Sequence, residues 1–566
     1  MSSEAAAGKS AVKYIRYRQE SGEDDMMGWS GNSLVNGFIR ADGKRLVNGE
    51  GQEILLRGVG LGSWLLPEGY MWKMPEQGDR PRRIEAMVKD LIGEEKAALF
   101  WETYYDRYIG EADIRQIAEQ GFNSIRLPIN ARVIMEEGQQ KPFHFHEGHL
   151  RLIDRVIDWC RSCRLYVILD LHGAPGGQTG ANIDDSARDL PELFTNPLNT
   201  ERTVALWRML AERYKDEWIV AGYDLLNEPL PDWFSEYNDR VMPLYREITA
   251  AIREVDQRHM IILEGVHWST DWQIFDEPFD DNLLLQFHKY WNNPDTESIQ
   301  KYLDHREQWN VPIFMGEGGE NNPQWYTGAF RLFEDHNISW NFWTWKKMDT
   351  SNSPYSIRRP EGWDKLTGYL EGGAKPSQEE AEAILQAYLD SLPLEACDAH
   401  PNVSRSLFRQ LPIQIPAEFY GYRGEGVSYH VGTKAERNIG LRVSDGVPMR
   451  MVTGKAEKPS YAPEGGKPWE TDNLVCVQLQ AGDWLAYEAL CAQAAAYQLD
   501  VRALLPEGSA ELTLRIGDRE LGKLSVSGEG WQVFRLASEL VVEQGPVHLV
   551  IGVSQGWVEL DWVEFS

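Results

Sequence analysis

Short apolar runs alternate with longer amphipathic segments between residues 37 and 392. The runs have the length of buried strands, and the segments between them repeat apolar residues at helical spacing. Ile114, Ile117 and Ala118, for example, share one face of a segment that ends before Gly121. The eight runs lie at residues 54–61, 124–129, 166–171, 219–226, 260–264, 282–287, 312–315 and 339–345. This alternation predicts an α/β fold, a (β/α)8 TIM barrel.

The period changes to two beyond Ile415, where short alternating strands are separated by Gly-rich turns. Such a pattern predicts a C-terminal β-sandwich of the jelly-roll kind. A Pro-punctuated stretch precedes it, and a polar, weakly periodic segment opens the chain. The predicted division is a flexible lead-in at residues 1–36, a barrel at 37–392, a linker at 393–412 and a β-sandwich at 413–566.

The acidic composition restricts the partners of the protein. A formal net charge of −30 argues against binding to nucleic acid or to an anionic membrane surface. Neither a signal peptide nor an apolar run long enough to span a membrane is visible, so a cytoplasmic location is expected, with a non-standard export route left open. Five scattered cysteines imply no disulfide framework, and Cys160 and Cys163 continue an apolar helical stripe.

Two glutamates stand at the ends of predicted strands, where the chemistry of a parallel barrel is located. Glu228 lies in the segment Leu-Leu-Asn-Glu-Pro at the end of the fourth run, and Glu317 lies in Phe-Met-Gly-Glu-Gly at the end of the seventh. A pair of carboxylates across a cleft is what glycosidic cleavage requires, because one protonates the leaving oxygen and the other attacks the sugar carbon. Glu228 and Glu317 are therefore the candidate catalytic pair.

Further polar and aromatic residues lie at the same strand ends, where they would surround a bound sugar. Each alone is as well explained by a structural role, but together with the two glutamates they occupy six of the eight predicted strands. A metal site is disfavoured because no His-x-x-x-His or similar local pair is present. The candidates for substrate binding are Arg126, which would also keep Glu317 ionised, His172, Asn227, His288, Tyr290 and Trp343.

This set of residues resembles family 5 of the glycoside hydrolases. The motifs that carry the resemblance are Ile-Arg-Leu-Pro, Asp-Leu-His-Gly, Leu-Asn-Glu-Pro, His-x-Tyr, Gly-Glu-Gly and Phe-Trp-Thr-Trp-Lys, spread over residues 37–390. The resemblance implies a retaining double displacement without a cofactor, with Glu228 as general acid/base and Glu317 as nucleophile. Retention requires carboxyl groups about 5–5.5 Å apart, and that spacing is expected.

The segment 62–72 looks like the tract in exo-acting 1,3-β-glucanases of this family that leads to a glutamate gripping the terminal glucose. Glu68 matches that glutamate, although Pro67 and Gly69 depart from the pattern, and an exposed loop charge is the alternative. The resemblance therefore favours exo-acting hydrolysis of β-glucosides or β-glucans. Endo-acting hydrolysis, hydrolysis of lipid or plant glycosides, and a catalytically inactive carbohydrate-binding protein remain as alternatives.

Residues 413–566 resemble carbohydrate-binding module family 6, through motifs such as Gly482-Asp-Trp and Leu560-Asp-Trp. The resemblance implies sugar stacking on a loop aromatic residue, for which Trp531 and Tyr429 are the candidates. It also implies a structural calcium ion, but Pro416 replaces a usual ligand and leaves only Glu418 and Asp561. Calcium there and sugar binding by the domain are both open expectations.

Overall fold

The computed structural model describes residues 31–138, 141–435, 438–462 and 465–566. Most of the predicted flexible lead-in, residues 1–30, lies outside the described residues. Val35 is already fully buried, and the backbone N–H of Asn36 donates to the Tyr166 hydroxyl. The chain is thus packed on the barrel from residue 35 onward. A short hairpin, Arg40–Asp42 with Arg45–Val47, follows.

Eight parallel strands form a closed barrel in which neighbours in sequence are neighbours in space. The topology confirms the predicted (β/α)8 barrel. Almost every strand residue is buried, as expected for strands covered on one face by helices and on the other by the barrel interior. The strands are β1 (Arg57–Gly60), β2 (Ser124–Asn130), β3 (Tyr166–Gly173), β4 (Val220–Asp224), β5 (Met260–Glu264), β6 (Leu283–His288), β7 (Ile313–Gly319) and β8 (Ser339–Trp343).

Amphipathic helices surround the strands. In Glu147–Cys163 the buried stripe ends at Cys160, in agreement with the predicted packing role of that cysteine. Pro197–Tyr214 begins with the Asn196 side chain accepting from the backbone N–H of Leu198. The other helices are Pro81–Ile92, Glu94–Tyr108, Glu111–Glu119, Ala131–Ile134, Val241–Arg253, Val266–Ser269, Gln300–Trp309, Pro323–Asp335, Trp363–Leu370, Gln378–Asp390 and Pro401–Phe408. Among the described residues, none of these helices is long and apolar enough to cross a bilayer.

The stretch predicted as a linker, residues 393–412, is folded onto the barrel. It contains the helix Pro401–Phe408, which packs against the barrel helix Pro323–Asp335 through the buried Val403 and Leu407. The preceding strand Asp398–Ala399 pairs with Tyr355–Ile357, which in turn pairs with Lys346–Met348. Prolines punctuate this connection without making it an extended tether.

The C-terminal domain is an antiparallel β-sheet domain. The long strand Gly545–Phe565 joins two groups of strands, pairing through its first half with Trp484–Cys491 and Ser509–Ile516 and through its second half with Ala495–Leu504. Apolar residues from both groups, such as Leu485, are buried. The remaining strands are Ile413–Pro416, Tyr429–His430, Met449–Met451, Val475–Gln480, Arg519–Ser527 and Gln532–Val542.

Candidate active site

A pocket of about 680 Å³ opens at the carboxyl ends of the barrel strands. Seven of the residues predicted from sequence line it: Glu68, His172, Glu228, His288, Tyr290, Glu317 and Trp343. Six of them come from strand ends and one from the loop after β1. The fold therefore brings together residues that are up to 275 positions apart in the chain, from 68 to 343.

Glu228 and Glu317 face each other in this pocket. A carboxylate oxygen of each, together with a ring nitrogen of His288, lies within 4.8 Å of the others. This separation is short of the roughly 6.5–9.5 Å that makes room for a water molecule in inverting glycosidases. The arrangement suits direct attack by one carboxylate and proton transfer by the other.

Glu317 is held from two sides. Its carboxylate accepts hydrogen bonds from the Arg126 guanidinium and, at 2.8 Å, from the Tyr290 hydroxyl. Burial raises the pKa of Glu317, and the positive charges of His288 and Arg126 oppose that rise. The charge of Arg126 thus favours the ionised form of Glu317, as expected from sequence, while burial of the carboxylate acts against it.

Glu228 adopts an unusual backbone conformation for a non-glycine residue, with φ at +43°. Left-handed backbone costs about 1–2 kcal/mol for an L-residue, so it must be held in place. Glu264, at the end of β5, accepts the Glu228 backbone N–H at 2.8 Å. His288 Nδ1 lies 2.6 Å from the Glu228 side-chain oxygen Oε1. These contacts fix both the backbone and the carboxylate of Glu228.

Arg126 and Asn227 lie beneath the pocket rather than in its lining. The fully buried Arg126 guanidinium donates to Asp224 at 2.8 Å, to the Asn227 side chain at 2.9 Å and to Glu264 at 3.0 Å. Asn227 is itself fully buried and its amide nitrogen lies 3.3 Å from His172 Nε2. Arg126 and Asn227 therefore organise the floor on which the catalytic pair stands.

Glu264 is one member of this floor that was not predicted from sequence as a site residue; Asp224 is another. Glu264 is fully buried, and one of its oxygens lies 3.4 Å from His288 Nε2. Burial alone would raise the pKa of Glu264, but His288 and Arg126 outweigh it and lower the pKa to about 2. The same contact, together with Glu317 and Glu228, raises the pKa of His288 although burial acts to lower it.

Two strand-end residues form a flat wall of the pocket. The rings of His172 and Trp343 are parallel within 2°, with centroids 5.4 Å apart. A Cβ at Gly60 would lie only 2.6 Å from the Trp343 ring, so glycine at this position lets the indole pack on β1. His172 Nδ1 lies 2.7 Å from Asp170, and burial lowers the pKa of His172 to about 4. A neutral imidazole thus stacks on the Trp343 ring.

Glu68 lines the pocket and is only 2% exposed. Its Oε1 has no hydrogen-bond partner in the part of the chain that the structure describes. Burial raises the pKa of Glu68 well above its usual value, and the charge of Glu317 adds to this effect. Glu68 is not the exposed loop charge that was the alternative from sequence.

Several pocket residues were not singled out from sequence. They come from the loops between strands and helices, where periodicity carries no signal. Asp224 and Glu264, which lie beneath the pocket, are the last residues of β4 and β5, and a position near a strand end was the available signal for them. The additional lining residues of this kind are Tyr70, Asn182, Ile183, Thr270, Asn292 and Glu320. The loop tryptophans Trp268 and Trp291 line the pocket as well.

The two aromatic candidates of the β domain do not form a comparable site. Tyr429 is 4% exposed and packs edge-on against Tyr420, so it offers no ring face to a sugar, which corrects the prediction made for it. Trp531 is half-buried, and the Arg502 guanidinium covers its ring at 4.9 Å. Trp531 keeps one free face at most.

The proposed calcium ligands of the β domain are buried but poorly arranged for an ion. Asp561 is paired with Arg502, which leaves little negative charge for a cation. Glu418 is 2% exposed, and its Oε2 has no hydrogen-bond partner among the described residues. Calcium takes six to eight oxygen ligands. Within the described ranges, the group that brings three ligating side chains together is Glu228, His288 and Glu317 in the barrel.

Comparison with known proteins agrees with this geometry. Residues 89–349 match the family described as cellulase, glycosyl hydrolase family 5. The matched residues lie within the barrel domain. They include both facing glutamates, Glu228 in the loop after β4 and Glu317 within β7.

Curated proteins that are similar to this chain carry different activities in their names. A β-xylosidase of Phanerodontia chrysosporium is 32% identical over 255 residues, which are 45% of this chain and 52% of the relative. A probable glucan 1,3-β-glucosidase A of Aspergillus clavatus is 25% identical over 60% of this chain and 80% of the relative. Endoglucanase C of Acetivibrio thermocellus is 26% identical over 44% of this chain and 88% of the relative. The chain thus spans about half the length of the first of these relatives.

Proposed function

We propose that the barrel domain hydrolyses β-glycosidic bonds with retention of configuration and removes single sugars from the end of β-glucosides or β-glucans, with 1,3-links favoured. The observation that carries the proposal is the pair Glu228 and Glu317, with oxygens within 4.8 Å of each other in a pocket at the carboxyl ends of the strands. Two carboxylates at this spacing support a double displacement.

In the first step Glu317 attacks the anomeric carbon while Glu228 gives its proton to the glycosidic oxygen, and the leaving group departs with that proton. The sugar is then an ester of the Glu317 carboxylate. In the second step Glu228 takes a proton from water, the water oxygen attacks the anomeric carbon, and Glu317 is released. Tyr290 and Arg126 orient Glu317 for both steps through their hydrogen bonds to its two oxygens.

The depth of the pocket supports exo-action. Glu68 and Trp343 in its lining are 2% and 3% exposed and mark the closed end of the pocket. Trp291, also in the lining, is 56% exposed and marks the mouth. A buried carboxyl with a free oxygen is suited to bind the hydroxyls of a terminal sugar, and an indole face is suited to stack on its ring. The name of the glucan 1,3-β-glucosidase relative supports the same preference.

The chemistry is tested by following the anomeric configuration of the first product by NMR. We expect the β-anomer from a β-glucoside, and Glu228→Gln and Glu317→Gln are each expected to lower kcat by a factor of about 10³ or more. Glu50→Gln, an exposed change outside the pocket, serves as the control. An α-anomer as first product, or near-normal rates in both variants, would refute the proposal.

Exo-action and the preferred linkage are tested with reduced 1,3-, 1,4- and 1,6-linked gluco-oligosaccharides. Aryl β-glucosides and aryl β-xylosides test the preferred sugar. Glucose alone is expected as the early product, fastest from the 1,3-linked series. Early release of oligosaccharides of mixed length would support endo-action, the activity named for the endoglucanase relative. Faster hydrolysis of β-xylosides than of β-glucosides would show that xylose is the preferred sugar, in line with the name of the β-xylosidase relative.

A further inference from the structure

The β domain holds the loops that form the mouth of the pocket. After β6, the Asn293 side chain donates to the Gly440 carbonyl at 2.7 Å, and the Tyr422 hydroxyl donates to the Pro294 carbonyl at 2.9 Å. The Tyr422 hydroxyl is buried in this contact. The loop after β6 is thus tied to two separate segments of the β domain.

The loop after β7 is tied to the same domain by a second set of contacts. The amide nitrogen of Asn321 donates to the Tyr461 carbonyl at 2.7 Å, and that of Asn322 donates to the Lys467 carbonyl at 3.0 Å. Both asparagines are fully buried. Buried amide groups of this kind are costly to leave unpaired, so these contacts specify where the loop lies.

The residues held in this way lie next to pocket residues in the chain. Trp291 and Asn292 precede the contacts after β6, and Glu320 precedes those after β7. The Trp291 indole N–H donates to the Glu320 carbonyl at 3.3 Å, which joins the two loops across the mouth. The Trp325 indole N–H donates to the Asn292 carbonyl at 2.9 Å, from the helix on which the β domain packs. Any displacement of the β domain therefore reaches the mouth through one or two residues.

This mouth is the side on which the leaving group of an exo-acting enzyme must lie, because the terminal sugar fills the closed end. Trp291 is 56% exposed although it lines the pocket, and Trp268 lies at the same entrance. Exposed indole faces at an entrance supply stacking area for the next sugar of the substrate. Placement of the Trp291 indole depends on the two loops described above, because one carries it and the other accepts its N–H.

We propose that the β domain is a specificity-determining part of the active site: through Tyr422 and the carbonyl groups of residues 440, 461 and 467, it positions the mouth loops that bind the leaving-group sugar. The inference rests on the proposed hydrolysis of β-glycosides. Asn293, Asn321, Asn322 and Tyr422 are positioning residues in this arrangement, since none of them lines the pocket. The domain acts on the barrel whether or not it binds sugar itself.

The test uses the full chain with variants that each change one interface hydrogen bond. Tyr422→Phe removes only the hydroxyl that binds Pro294. Asn322→Asp keeps the oxygen that caps the helix Pro323–Asp335 but replaces the donor to Lys467 with an acceptor. Tyr487→Phe is the matched control, because it removes an equally buried hydroxyl bond, to Ala417 at 3.0 Å, within the β domain itself.

Two substrates separate the mouth from the closed end: β-glucosyl fluoride, whose leaving group makes no contact with the mouth, and a 1,3-linked glucotriose. We expect Tyr422→Phe and Asn322→Asp to raise KM for the trisaccharide by about threefold to tenfold, as the loss of one buried hydrogen bond implies, and to change fluoride hydrolysis by less than about twofold. Tyr487→Phe is expected to leave the ratio of the two rates unchanged. Equal losses on both substrates, or none, would overturn the inference.

Failure of the proposed function is recognised separately, because the wild-type protein would then hydrolyse neither substrate. In that case amide hydrogen exchange still decides the inference. Exchange in peptides covering residues 290–295 and 320–322 is expected to rise in Tyr422→Phe and Asn322→Asp but not in Tyr487→Phe. Unchanged exchange in these peptides would show that the β domain does not position the mouth.

Discussion

The barrel and the β domain both contain residues that were predicted to bind sugar. The barrel brings these residues together in one pocket, but the β domain does not. Seven of the predicted barrel residues line one pocket, whereas Tyr429 of the β domain is buried and the ring of Trp531 is covered on one side by Arg502. A closed parallel barrel brings all its strand ends to one rim, so a strand-end position implies proximity. No such rule relates the loops of an antiparallel domain.

The buried acids of the two regions differ in the same way. Glu264 in the barrel is surrounded by Arg126, His288 and a backbone N–H, and its pKa is lowered to about 2. Glu418 in the β domain is equally buried, but burial raises its pKa well above the usual value. A buried carboxylate with several donors is stabilised in its ionised form, whereas one without them lowers the stability of the fold. Three predictions sharpen this contrast.

The largest effect is expected from Glu264→Gln. The amide removes the charge next to His288 and weakens the acceptor for the Glu228 backbone N–H, so Glu228 is misplaced as general acid. We expect kcat for a poor leaving group such as a sugar to fall on the order of 100-fold, a large part of what a general acid contributes. A 2,4-dinitrophenyl leaving group needs no proton, and its rate is expected to fall much less.

The pH profile of the same variant gives a second readout. The negative charge of Glu264 helps to raise the pKa of His288, so its removal lowers that pKa and moves the alkaline limb of kcat to lower pH. Asp256→Asn is the control, because Asp256 is also buried beside a histidine, His259, but lies outside the pocket. Equal rate losses for both leaving groups in Glu264→Gln would show that the residue has only a structural role.

Strand order, the barrel and the positions of the two facing glutamates are predictable from the sequence because each depends on a local pattern repeated along the chain. Glu264 and Asp224 also end strands, but nothing in their neighbourhood distinguishes an acid that supports Arg126 from one that faces solvent. That distinction arises only when strands β2, β4 and β5 close the barrel around the guanidinium.

The mouth of the pocket was less predictable for a different reason. Of four tryptophans in and near the loops after β5, β6 and β7, Trp268 and Trp291 line the pocket, whereas Trp272 and Trp325 are buried, with 2% and 0% of their surface exposed. Trp272 donates its indole N–H to the Gln286 carbonyl, and Trp325 donates to Asn292. Which loop indole faces the pocket depends on packing between elements, including that of the β domain, and no periodicity in the chain reports such packing.

A smaller effect, on stability, is expected from Glu418→Gln. Because the pKa of Glu418 is raised in the folded state, its contribution to stability is present below the unfolded pKa of about 4.5 and is lost as pH rises through the folded pKa. Above that pH, the free energy of unfolding of the variant is expected to be about 1–2 kcal/mol higher than that of the wild type. This difference in stability should vanish near pH 4. Thermal melts at several pH values measure it.

Glu559→Gln is the control for this prediction, since the buried Glu559 is paired with Arg450 and accepts from Gln478 at 2.9 Å. Loss of these partners is expected to lower stability at neutral pH. Calcium separates the alternatives: if added Ca²⁺ raises the Tm of the wild type and not of Glu418→Gln, Glu418 is an ion ligand, and the contrast between the two regions does not hold.

The smallest effect is expected from Trp531→Ala, which tests sugar binding by the β domain alone. Because Arg502 covers one face of the ring, stacking is limited to the other face, and we expect retardation in β-glucan affinity gels to fall by a factor of about five or less. Hydrolysis of β-glucosyl fluoride is expected to be unchanged, since Trp531 does not line the pocket. Trp233→Ala, an exposed indole of the barrel, controls for loss of surface aromatic area. If no glucan retards the wild-type protein, the β domain does not bind these sugars, and its role is to position the loops at the mouth of the pocket.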